Sequence, residues 1–289
     1  MALITTIVMT VTMAYVNADY NETLAKVMLT LSAAAYSDTP NDCLQNRFTN
    51  AELIERFEVD CDITHNDTCA AYIAVVHEEQ SIALVFRGTK ASAQMDLEIL
   101  AAFTFLQQYL DTDTQVNSYF NTAFEDLFAA GILEKLSDLS SQYPEYKLWV
   151  TGHSLGAALA SLSSLKLCLN GTWNENNSEH YTFGKPRVGY SDYADLHTKY
   201  VPHHYRVVHA HDTITDTYPL IFGYLHEQNW IWYNNNMTEG SPYIACTGEF
   251  DLNCAGYKLL DSDLMLAHRH YFNVLVTGYG EDGCPTAIF

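Results

Sequence analysis

The residues Lys147 to Gly152 (KLWVTG) form an apolar, β-branched run that passes directly into Gly152-His153-Ser154-Leu155-Gly156 and then into an Ala/Leu-rich stretch, Ala157 to Leu167. A G-x-S-x-G pentapeptide between a strand and a helix leaves the chain few options. It must reverse within a few residues, so the serine takes a strained backbone conformation while glycine on either side lets neighbouring segments pass closely. The helix N-terminus then points its N–H dipoles at the space beside the hydroxyl. This context predicts Ser154 as a nucleophile; a purely structural turn is the alternative.

Further short apolar runs surround that junction. Ala70 to His77 and Ser81 to Gly88, separated by Glu78-Glu79-Gln80, read as a hairpin. His180 to Gly184 and Tyr205 to Ala210 read as strands rich in aromatic and β-branched residues, whereas Leu24 to Ser37 has helical spacing. Strands separated by helical segments indicate an α/β sheet. With no internal repeat and no Pro/Gly-rich boundary, residues 19–289 are expected to form one domain.

Residues 1–18 carry no charged side chain and place an apolar stretch before Val16-Asn17-Ala18, the pattern of a signal peptide cleaved before Asp19. A buried first helix is the other reading. Sequons at Asn21, Asn66, Asn170, Asn176 and Asn236 fit a secreted, extracellular or lumenal route. So do seven cysteines with no C-x-x-C pair, of which Cys61 and Cys69, and Cys246 and Cys254, are spaced to close small loops. Cys168 is left over on an apolar face, where a buried thiol is expected. The chain lacks an apolar run of about 18 residues that would span a membrane. Acidic residues outnumber Lys plus Arg by 35 to 14, a net charge of -21, which disfavours nucleic acid and anionic lipid as partners.

A serine needs a base, and in a strand–elbow–helix context an acid and then a histidine should follow it in the chain. Asp212 directly follows the Tyr205 to Ala210 run, with Asp216 as rival; His268 and His270 lie near the C-terminus. His209-x-His211-Asp212 and His268-x-His270 also have metal-ligand spacing, but no H-E-x-x-H helix accompanies them, so no metal or other cofactor is expected.

Leu84 to Thr89 (LVFRGT), Val150 to Ala160 (VTGHSLGAALA), Tyr181 to Gly189 (YTFGKPRVG), Tyr205 to Asp212 (YRVVHAHD) and Ala267 to Phe272 (AHRHYF) together resemble the class 3 lipases, the fungal-lipase-like family of α/β-hydrolases. The resemblance implies a mixed central sheet flanked by helices and serine ester hydrolysis. It implies Ser154 as nucleophile, Asp212 as orienting acid and His268 as base, with Thr89 and the backbone N–H of Leu155 as oxyanion donors. It further implies disulfides Cys43–Cys284, Cys61–Cys69 and Cys246–Cys254.

In this family the segment after the first oxyanion donor carries a lid. Here Met95 to Leu110 is apolar and helix-compatible, expected either to cover the site and open at a lipid–water interface or to be core. The family's usual tryptophan is missing there, as are its proline after the acid and its glutamate before a tryptophan, near Trp230-Ile231-Trp232, read as a loop. The expectation is a monomeric secreted lipase acting on acylglycerol or other esters. A phospholipase A-type enzyme, a carbohydrate esterase of feruloyl type and a catalytically silent binding protein are the alternatives.

Overall fold

The computed structural model describes residues 20–61, 68–90, 105–171, 173–217, 220–254 and 265–288. The expected signal peptide, the loop at 62–67 and residues 95–104 of the expected lid lie outside the described residues. In chain order the strands of the two larger sheets are β1 (Ala51–Asp60), β2 (Thr68–Val76), β3 (Ser81–Phe86), β4 (Leu106–Gln108), β5 (Gln115–Asn117), β6 (Lys147–His153), β7 (Ser178–Phe183), β8 (Gly189–Tyr190), β9 (His204–His209), β10 (Tyr224–Leu225), β11 (Trp230–Tyr233) and β12 (Ile244–Cys246). Eight of these form one sheet in the order β1-β2-β3-β6-β7-β9-β11-β12. From β3 to β11 neighbouring strands are parallel, while β1, β2 and β12 pair antiparallel, giving the expected mixed sheet.

Period-two alternation assigns each strand's side chains to two cores. Ile82, Leu84 and Phe86 of β3 and Leu148 and Val150 of β6 face one cluster, shared with helix α3 (Ser118–Leu127) and helix α5 (Leu155–Leu169). Ala83, Val85 and Trp149 face the other, where they meet helix α1 (Glu22–Ala34). Helices α2 (Pro40–Arg47), α4 (Leu133–Gln142) and α6 (Ser191–Tyr200) complete the flanks. Side chains of this size contribute about 1.5 to 3 kcal/mol each when fully buried, so the sheet is anchored from both faces.

α5 is almost wholly buried because Ala, Ser and Leu alternate along it. Its buried hydroxyls are satisfied locally: Ser163 donates to the Leu159 carbonyl and Ser164 to that of Ala160. It is joined to a buried ion pair, Lys185 Nζ to Glu227 Oε2 at 2.5 Å, through Ser161, which donates to Glu227 Oε1.

Two sequence expectations need correction, and β1 was not foreseen. Trp230-Ile231-Trp232 is a sheet strand between β9 and β12. Leu106–Gln108, the end of the stretch read as helix, is a strand paired antiparallel with β5, because Leu110 adopts a left-handed φ of 49° and the chain turns back there. The three expected disulfides are formed, and Cys168 is free and partly buried.

Candidate active site

The elbow between β6 and α5 has the geometry its sequence demands. Ser154 has φ 59° and ψ -127°, a conformation costing about 1 to 3 kcal/mol for a residue with a side chain. It persists because both ends are tied: the Ser154 N–H donates to the Phe183 carbonyl, and its own carbonyl accepts from Ala157. The flanking glycines are sterically required. A Cβ on Gly152 would lie 2.3 Å from the Gly156 carbonyl oxygen, and one on Gly156 would lie 2.2 Å from that of Phe86. The second contact brings the start of α5 against the end of β3, from which the chain continues to Thr89.

His268, in the short helix Leu266–Arg269, places Nε2 at 2.9 Å from Ser154 Oγ. Its Nδ1 lies 2.9 and 3.0 Å from the two oxygens of Asp212, just beyond the end of β9. A carboxylate only accepts, so Nδ1 carries the proton and, in the neutral ring, Nε2 is left to accept from the serine hydroxyl. Asp212 is held by more than the histidine: the Tyr271 hydroxyl donates to Oδ2 at 2.6 Å and the Ile214 N–H to Oδ1 at 3.0 Å. Burial by itself would raise this carboxyl, but His268 and Tyr271 outweigh that and hold it below its ordinary value. His209 Nδ1 donates to the Ala267 carbonyl at 3.0 Å, tying β9 to the segment that carries His268.

The rival residues lie elsewhere. Asp216 pairs with Arg187 at 3.2 Å, and His270 Nδ1 donates to the Leu266 carbonyl at 2.9 Å. Thr89 is half-buried and Leu155 is the first residue of α5, where its N–H has no intrahelical acceptor. Among the described residues no group of three or more His, Cys, Asp or Glu is placed to hold a metal. Sequence reasoning missed Tyr271 and also Gly184, whose φ of 59° and lack of a side chain let the backbone press against the Asp212–His268 pair. The signal for both was the spacing of YTFG and HYF around the known motifs, which names neighbours without naming contacts.

Residues 83–222 match the profile of the family described as Lipase (class 3). Lipase ZK262.3 of Caenorhabditis elegans is 36% identical over 307 residues, spanning 94% of this chain and 85% of that protein. Secreted mono- and diacylglycerol lipase 1 of Fusarium solani is 29% identical over 214 residues, covering 72% of this chain and 61% of that protein. Among solved structures, a Rhizomucor miehei triacylglyceride lipase superposes with a TM-score of 0.72 at 25% identity, over 89% of this chain and 96% of its own. With a relative this similar along nearly its whole length, the chain belongs to the class 3 lipase family and is a carboxylic ester hydrolase of the α/β-hydrolase fold.

Proposed function

We propose that this lipase is secreted and cleaves acylglycerol esters, with Ser154 as nucleophile, His268 as base and Asp212 as orienting acid. The observation that carries the reading is the unbroken hydrogen-bonded chain from Ser154 Oγ through His268 to Asp212, mounted on a strained elbow. As Ser154 attacks the ester carbonyl, His268 takes its proton, and Asp212 stabilises the imidazolium without itself becoming protonated. The oxyanion accepts from the backbone N–H groups of Leu155 and Thr89, with the Thr89 hydroxyl as a third donor. His268 then protonates the departing alcohol. Water, deprotonated by the same ring, opens the acyl-enzyme and releases the fatty acid.

Substrate class follows from charge and apolarity. A net charge of -21 disfavours anionic lipid surfaces and favours uncharged ones such as glyceride droplets, and Leu266, 51% exposed two residues before His268, offers apolar surface beside the base. Secretion is supported by the leader pattern of residues 1–18, three disulfides and the sequons. No helix among the described residues is long and apolar enough to cross a membrane.

A hydrolysis panel tests the substrate: a soluble short-chain ester, emulsified triglyceride, phosphatidylcholine and a feruloylated sugar. The expected order puts emulsified glyceride first. Preference for phosphatidylcholine or for the feruloyl ester would replace the acylglycerol reading with the corresponding esterase, and no turnover on any would overturn it.

A further inference from the structure

The ring packed against His268 is another histidine. His153, inside the elbow pentapeptide, stacks on it with centroids 4.7 Å apart and planes inclined by 29°. Its Nε2 is 2.8 Å from the main-chain carbonyl of His268, and its Nδ1 is 2.7 Å from the Tyr36 hydroxyl. A carbonyl only accepts, so Nε2 must carry the proton. Burial pushes His153 down to about 3, so the ring is neutral and Nδ1 is a bare lone pair. Tyr36 is therefore the donor. The result is a directed chain: Tyr36 O–H to His153 Nδ1, and His153 Nε2–H to the His268 carbonyl.

The donor is fixed in place. Tyr36 follows α1, is 1% exposed, and its hydroxyl would lie 1.9 Å from a Cβ on Gly88, so the segment delivering Thr89 closes over it. We infer that Tyr36 is a positioning residue for ester hydrolysis: acting through His153, it fixes the main chain of His268 and hence the reach of its ring to Ser154. This rests on the assignment of His268 as base. The neutral ring also matters to the charge the reaction creates. When His268 becomes a cation, the His153 face stacked on it adds no like charge, which a protonated neighbour would.

Tyr36→Phe removes one hydroxyl and almost no volume. On a soluble p-nitrophenyl ester its kcat should fall about 10- to 50-fold with KM within about twofold, because the loss is one of alignment. In a double-mutant cycle with His153→Phe, the double variant should be no slower than His153→Phe alone, since Tyr36 acts through that ring. Wild-type rate in Tyr36→Phe, or losses that multiply, would overturn the inference. A second measurement needs no variant: nitrogen NMR of the wild-type histidines should find His153 neutral with its proton on Nε2 between pH 5 and pH 8, and an Nδ1–H tautomer would refute it. Labelling of wild-type Ser154 by a fluorophosphonate separates the two levels. If Ser154 is not labelled, the assignment of nucleophile and base fails; if it is labelled and Tyr36→Phe turns over normally, only the positioning role fails.

Discussion

Gly184→Ala is the sharpest small perturbation of the site. A Cβ built there would lie 2.7 Å from Asp212 Oδ2 and 2.8 Å from His268 Nδ1, and both are heavy atoms of a buried, hydrogen-bonded pair. To reach an ordinary van der Waals separation each must retreat by about 0.5 Å or more. Misplacement of a reacting group by about 1 Å is worth roughly 100-fold in rate, so a shift of half that size predicts a fall in kcat of about 10- to 100-fold. The backbone adds its own penalty, because φ at Gly184 is 59° and a side chain in that region costs about 1 to 2 kcal/mol. The assay is kcat on a soluble p-nitrophenyl ester beside a urea titration of the same preparation. Loss of rate should exceed what any unfolded fraction explains. A folded Gly184→Ala protein with kcat within about twofold of wild type would refute the claim that this backbone presses on the Asp212–His268 pair.

Two further outcomes follow from the long-range disulfide and the buried histidines. Cys43 and Cys284 are bonded across 241 residues, so Cys43→Ser with Cys284→Ser should lower stability by roughly 5 to 6 kcal/mol in the chain-entropy account, read as a drop in urea midpoint; an unchanged midpoint would contradict it. Burial pushes His153 and His180 down to about 3 and His197 and His226 well below their ordinary value. Unfolded, these rings charge as pH falls through about 6.5, so between that pH and about 3 the unfolded state binds more protons, and stability drops by about 1.4 kcal/mol per pH unit for each such ring. Urea midpoints at pH 7.5, 6 and 5 should therefore decline, and a flat series would contradict the buried neutral histidines.

The elbow was legible in the sequence because its determinants are local: a strand, two glycines and a helix lie within 23 residues, Lys147 to Leu169, and each is demanded by sterics. The order of Asp212 and His268 was legible only through motif context, and composition alone left Asp216 and His270 as rivals. β1 escaped because AELIERFEVD is an edge strand with charged residues at Glu52, Glu55, Arg56, Glu58 and Asp60, and a bulge between Leu53 and Glu55 breaks the period-two signal. Trp230 to Tyr233 looked like a loop because four residues carry little periodicity, yet β9 and β12 pair with it from both sides. Tyr36, Gly184 and Tyr271 were invisible as site residues for a common reason. Each acts across 28 or more residues of chain on the elbow or the acid, and no local spacing encodes such contacts.

The most direct test of the central claim is the position at which a fluorophosphonate attaches, read by peptide mass spectrometry across four proteins. The wild-type chain should carry one adduct, on Ser154, with esterase activity lost in proportion. Ser154→Ala should carry none while remaining folded and losing at least about 10⁴ in kcat. His268→Ala should label slowly and His270→Ala at the wild-type rate. An adduct on another residue, turnover retained by Ser154→Ala, or a reactive His268→Ala beside a silent His270→Ala would contradict the assignment of nucleophile and base.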